Sequence, residues 1–196
     1  MAVAENQLLT AENQLLRCPW AEKDEFSRKY HDEVWGRPCH DERELFKMLI
    51  LEGFQAGLSW VTILKKQAAF EAAFDGFDPS LVARYGAEKI ERLMNNSGII
   101  RNRRKIAAAV TNAQAVLRLG SLDDFLWSYV GGVPIVGNWE RQEDMPVNTP
   151  LSDEISGELK RRGFTFVGST IVYSYLQAVG VVNDHMAWCE ISRYTQ

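Results

Sequence analysis

The chain is short of the residues that staple small secreted proteins: its 196 residues include three cysteines and three histidines. Three cysteines cannot all pair, which argues against a disulfide framework and for a reducing compartment. No run of about eighteen apolar residues occurs, so no membrane-crossing helix is expected. The first residues lack a basic stretch leading into an apolar one, so we expect no secretory leader and a cytoplasmic protein. Period-two alternation of β-branched residues is scarce, which argues against a sheet-based fold. A basic surplus is missing too: 22 Lys and Arg against 26 Asp and Glu give a formal net charge of −4. Taken alone, that speaks against a nucleic-acid partner.

Hydrophobic residues make up 46 % of the chain and charged ones 24 %, the balance of a globular protein with a sizeable core. From residue 41 onward the pattern is helical. In "DERELFKMLILEG" Asp41 caps the start, Glu44 follows three residues later as in a capping box, and Gly53 marks an end or bend. "SWVTILKKQAAFEAAFDGF" reads as one further helix ending near Gly76. "DPSLVARYG" has Asp78 as cap and Pro79 at the first helical position. Ser121 with Asp124 repeats the capping-box pattern, and two more helices follow 150. The stretch 131–150, with three prolines and adjacent glycines, reads as a long loop. The fold class is all-α. The segment "AENQLL" stands at 4–9 and again at 11–16, too few copies for a repeat architecture; we read residues 1–17 as an accessory extension to a single domain spanning 18–196.

Three constellations carry chemistry. His185 and Cys189 lie at i and i+4, so a helical face would present both to a metal. Cys18 and His31, in a stretch read as irregular, would complete a tetrahedral set. The competing reading is four unrelated buried side chains. Second, the turn "NNSGII" precedes "RNRRK". Gly98 there can take positive φ, leaving backbone amides free at a helix start ringed by Arg101, Arg103, Arg104 and Lys105, a helix–hairpin–helix contact for a phosphate backbone. The alternative is an ordinary αα-hairpin with a solvated basic face. Third, in "LEGFQAGLSW" Glu52 shares a face with apolar residues, and Gln55 and Trp60 follow. A carboxylate, an amide and an indole together would suit a flat polar ligand. Otherwise Glu52 is a surface residue at a helix end.

The strings "RCPW", "YHDEVWG", "LFKMLILEGFQAGLSWVTILKK", "GIIRNRRKI", "FLWSYV", "RRGFTFVGSTIVYSYLQAVGVVNDH" and "HMAWC" occur in the same order in the 3-methyladenine DNA glycosylase I family, which the chain resembles from Cys18 to about Cys189. The resemblance implies the helix–hairpin–helix glycosylase fold and a monofunctional N-glycosylase of base excision repair. Such an enzyme flips 3-methyladenine out of alkylated double-stranded DNA and leaves an abasic site. It implies one structural Zn²⁺ clasping segments 18–40 and 180–196 through Cys18, His31, His185 and Cys189, with Cys39 and His40 outside the set. It assigns Glu52 to the methylated base, with Tyr30, Trp60 and Trp20 as aromatic partners and Gln55 nearby. Ser27 stands three residues before Tyr30, where some members carry an aromatic residue. The partner is DNA, no membrane is involved, and the chain is expected to act as a monomer. A non-catalytic, zinc-stapled DNA-binding protein is the competing reading, and a hydrolase with an open zinc position is a third.

Overall fold

The computed structural model describes residues 15–194. The doubled "AENQLL" segment lies almost wholly outside the described residues. A 3₁₀ turn over Pro19–Lys23 leads into α1 (Glu25–Glu33), whose N-cap Asp24 accepts from the Ser27 amide. His31 therefore sits on a helix, not in irregular chain.

The centre of the molecule is α2 (Glu42–Gln55). Asp41 caps it, accepting from the Arg43 and Glu44 amides. The return half of the expected capping box is absent because the Glu44 carboxylate pairs with Lys47. All ten residues from Leu45 to Phe54 are buried, so from Leu45 to Phe54 α2 has no solvent face and reads as a core helix. Gly53 does not end it; the helix runs on to Gln55.

The stretch predicted as one helix is split at Lys65–Lys66 into α3 (Trp60–Leu64) and α4 (Gln67–Ala73), followed by a 3₁₀ turn over Asp75–Phe77. Phe70 and Phe74 of this arm pack edge-on against Phe54 of α2, with ring centroids 4.8 and 5.8 Å away. The helix α5 (Pro79–Val82) starts at Asp78, as predicted. Then α6 (Ala87–Met94), a tight turn and α7 (Arg103–Leu119) form the expected helical hairpin. In α8 (Leu122–Ser128) the cap Ser121 accepts from the Asp124 amide. The Glu42 carboxylate reaches across from α2 to the Leu122 and Asp123 amides, satisfying donors a helix start leaves free. The last two helices are α9 (Pro150–Arg161) and α10 (Ser169–Ala178); α10 packs on both α9 and α2.

Two corrections concern the chain outside the helices. The expected loop 131–150 contains β1 (Ile135–Val136), which pairs in parallel with β2 (Val182–Asn183), matching Ile135 to Val182 and Val136 to Asn183. The segment from His185 to Cys189 is not helical: it leaves β2, bridges Trp139 at Met186 and turns before a 3₁₀ stretch at Glu190–Tyr194. Tertiary pairing overrides the one-turn spacing there. Gly180, at φ 72°, allows the chain to pass Arg37, since a Cβ would fall 2.1 Å from the Arg37 carbonyl carbon. Among the described residues no helix is long and apolar enough to cross a membrane.

Candidate active site and metal cluster

A cavity of about 310 Å³ opens beside the C-terminal half of α2. It brings together Glu52 and Gln55 from α2, Tyr30 from α1, Trp20 from the first 3₁₀ turn and Trp60 from the start of α3. The walls are aromatic. Tyr30 and Trp60 have ring centroids 5.3 Å apart, Trp20 and Tyr30 6.2 Å, and Trp20 and Trp35 5.0 Å. Gln55 is partly spent on structure, its amide donating to the Leu58 carbonyl at 2.8 Å and shaping the turn between Glu52 and Trp60.

Glu52 is 4 % exposed and makes no hydrogen bond or ion pair among the described residues. Burial pushes its carboxyl from the usual range up to about 8. Burial, with the Glu52 charge second, holds the Tyr30 phenol well above its ordinary value. The Trp60 indole N–H is also buried without a partner among the described residues. An unpaired carboxyl and an unpaired indole donor in one aromatic box are costly to folding alone. Such strained groups mark a site built for a ligand.

Trp35, Met145, Ser174 and Gln177 complete the wall, and the sequence reading missed them. Ser174 and Gln177 carried a usable signal: polar residues three apart share a face of α10, otherwise an apolar helix. Met145 carried none, since its loop reaches the cavity only through the β1–β2 pairing.

Behind the Trp20 wall three of the four predicted metal ligands, Cys18, His31 and Cys189, converge, and His185 packs beside them outside that group. The donor atoms of Cys18, His31 and Cys189 all lie within 4.8 Å of one another, and all three residues are buried. The His31 Nε2 is 3.6 Å from the Cys189 Sγ, and its Nδ1 is 2.8 Å from the Asp32 carboxylate, which Arg17 holds in turn. His185 packs edge-on to His31 at 4.8 Å. Its Nδ1 is fixed by the Asn183 Oδ1 at 2.7 Å, while its Nε2 is buried with no partner among the described residues. Burial, and His31 after it, bring His185 down to about 4, keeping the imidazole neutral. Hydrogen bonds from Cys18 and then His31 draw Cys189 down to about 4, a thiolate, and push Cys18 up. A neutral His185 imidazole, a Cys189 thiolate, and Cys18 and His31 beside them are donors of the kind a tetrahedral soft-ligand cation takes. Cys39 and His40 lie elsewhere: the Cys39 carbonyl accepts from Trp127, and His40 pairs with Asp123.

The hairpin differs in detail from expectation. Gly98 does not have positive φ. Its role is close packing, since a Cβ would lie 3.0 Å from the Asn96 Oδ1 and 3.1 Å from the Ala69 Cβ. Its amide is taken by Asn96, and the Arg104 and Lys105 amides by the cap Asn102, so these three amides are not free for a phosphate. Arg101, Arg103 and Arg104 are exposed, with Arg103 paired to Glu91. Lys105 turns inward and donates to the Phe54 and Ala56 carbonyls.

Cavity and fold together define a class: a mainly helical protein with an aromatic-walled cavity that holds a buried carboxyl. The family model for methyladenine glycosylases matches residues 20–193. DNA-3-methyladenine glycosylase 1 of Escherichia coli K12 is 46 % identical over 177 residues, covering 88 % of this chain and 95 % of that protein. A crystal structure of 3-methyladenine DNA glycosylase I superposes with a TM-score of 0.87 at 47 % identity, covering 89 % of this chain and 98 % of that one. A tyrosine-to-phenylalanine variant of such an enzyme, in complex with 3-methyladenine, superposes with a TM-score of 0.86 at 40 % identity, covering 90 % and 97 %. The chain belongs to the methyladenine glycosylase family and is an enzyme, a glycosylase.

Proposed function

We propose that the enzyme excises 3-methyladenine from alkylated DNA by hydrolysing the N-glycosidic bond, leaving an abasic site. The observation that carries this reading is Glu52, buried and unpaired inside the box formed by Trp20, Tyr30 and Trp60. A relative's complex with 3-methyladenine supports it.

In DNA the lesion is a cationic purine. Once flipped out, at a cost of a few kcal/mol, it slides between the electron-rich faces of Tyr30 and Trp60. A carboxyl held near 8 by burial alone gives up its proton when a cation arrives, because the positive ring then stabilises the anion. Glu52 and the lesion thus form a charge-assisted contact that a neutral adenine does not elicit. Departure of the base neutralises it, so it is a good leaving group, and the pocket needs only to orient it and exclude bulk water. The cavity wall holds no lysine among the described residues, in keeping with a monofunctional enzyme that forms no Schiff base.

Arg101 and Arg104, exposed and without an ion pair among the described residues, together with Arg103, would contact the DNA backbone beside the α6–α7 hairpin. Cys18, His31, His185 and Cys189 would hold one Zn²⁺. With four protein ligands the ion serves as a cross-link and leaves no position for an attacking water.

Free-base release from methylated DNA, followed by chromatography, tests the reading. Wild type should release 3-methyladenine, and Glu52→Gln should release it at least about a hundredfold more slowly. A wild type that binds the DNA and releases no base would establish a binding protein instead.

A further inference from the structure

The motif "VNDH", in which Asp184 precedes His185, carries a second buried polar side chain beside its histidine. Asp184 is 1 % exposed. Its Oδ1 accepts from the Trp139 indole at 2.7 Å, and its Oδ2 accepts from the Gln177 amide Nε2 at 2.7 Å and from the Tyr173 hydroxyl. An indole N–H can only donate. That makes Oδ1 an acceptor; at Oδ2 the donors are the Tyr173 hydroxyl and the Gln177 NH₂, so the Gln177 side chain turns its NH₂ toward the carboxylate. The same Nε2 also reaches the Met145 Sδ at 3.4 Å.

With both amide hydrogens directed to Asp184 and Met145, the other end of the amide is fixed by elimination. Gln177 lines the cavity, and its Oε1 has no partner among the described residues. Nor is that oxygen among the sealed-off polar atoms, so it is the part of the amide open to the cavity.

We propose that Gln177 is a specificity-determining residue whose Oε1 accepts a hydrogen bond from the exocyclic amine of the bound purine, and that Asp184 is the positioning residue that keeps this oxygen, and not the amide nitrogen, facing the ligand. The proposal rests on the base-excision reading above. A 6-amino purine offers two hydrogens at that edge, whereas a 6-oxo purine offers a lone pair. An acceptor locked in place rewards the first and opposes the second. Free rotation of the amide would erase the distinction, since its nitrogen serves a 6-oxo group equally well. The packing around Asp184 is tight enough to hold the arrangement: a Cβ on Gly137 would fall 2.3 Å from both the Asp184 Oδ1 and the Trp139 Nε1.

The experiment measures single-turnover release of 3-methyladenine and 3-methylguanine from the same methylated DNA. The variants are Gln177→Leu, the volume-matched Gln177→Met and Asp184→Asn, with zinc content and thermal midpoint measured for each. Wild type is expected to prefer 3-methyladenine. The Gln177 variants should release it about tenfold more slowly while 3-methylguanine release is unchanged, so the preference narrows by about tenfold. Asp184→Asn, which lets the Gln177 amide turn over, should narrow it in the same direction. Equal slowing of both bases in the folded Gln177 variants would make Gln177 a packing residue and overturn the proposal, as would an unchanged ratio. Failure of wild type to release either base would instead overturn the base-excision reading.

Discussion

The ammonium of Lys105, on the first full turn of α7, lies 2.8 Å from the carbonyl oxygen of Phe54, near the end of α2. It donates a second time, at 2.7 Å, to the Ala56 carbonyl. A cation at the carbonyl end of a helix satisfies acceptors that have no intrahelical donor and complements the helix dipole. Here that end is the turn between Glu52 and Trp60.

Lys105→Met should therefore cost stability and catalysis more than DNA affinity. Loss of two charge-assisted bonds, one to a buried carbonyl and one to a part-buried one, predicts a drop of about 2–3 kcal/mol. Urea denaturation gives the stability, and filter binding at fixed salt should show little change. A large loss of DNA affinity with stability intact would mean that Lys105 faces the phosphates.

The hairpin arginines should behave in the opposite way. Arg101→Ala and Arg104→Ala should each weaken binding to any DNA sequence and reduce the slope of log affinity against log salt by about 1. Arg103→Ala should have a smaller effect, because its guanidinium is already paired with Glu91 at 2.7 Å. Titrations at several salt concentrations, with folding checked by circular dichroism, decide this.

Glu52 predicts a pH dependence with a definite sign. Its carboxyl is raised from 4.5 to about 8 in the folded protein. Between those values the folded state keeps a proton that the unfolded chain has released, so stability falls as pH rises. The contribution is fully present below pH 4.5 and lost as pH climbs through 8. Glu52→Gln cannot titrate there, so its stability relative to wild type should increase steadily from pH 5 to 8.5. Denaturation midpoints of the two proteins across that range are the test; parallel curves would place Glu52 in water.

Metal content should be one Zn²⁺ per chain by elemental analysis, and stripping it should lower the thermal midpoint before it lowers activity at 20 °C. If the ion closes a segment of well over a hundred residues, its loss removes about 5 kcal/mol of constraint on the unfolded chain. For a protein of this size that is a shift of about 10–20 °C. Loss of turnover at an unchanged midpoint would instead indicate a catalytic ion.

Local signals in the sequence survived folding. Asp41, Asp78 and Ser121 cap helices as expected because a cap depends on residues two or three positions away. The helical hairpin and the Glu52–Gln55–Trp60 grouping were readable for the same reason, since they lie within one short stretch. Where partners are distant, the reading failed. Ile135–Val136 has no periodicity of its own and becomes a strand only against Val182–Asn183. That pairing holds the His185 segment extended, defeating the one-turn spacing to Cys189. A run of four basic residues looks like one surface patch, and nothing in residue type reveals that Lys105 alone turns inward.

Leu16 and Glu190 bond each other through both backbone and side chain, and the Met186 amide reaches the Cys18 sulfur at 3.4 Å. Trp20 and Tyr30 stand on that junction. During synthesis, these terminal contacts cannot form until residue 190 has left the ribosome. Nascent chains arrested at residue 180 lack the partners of Leu16 and Cys18, so the two ends of the described chain are joined only in the last step of translation.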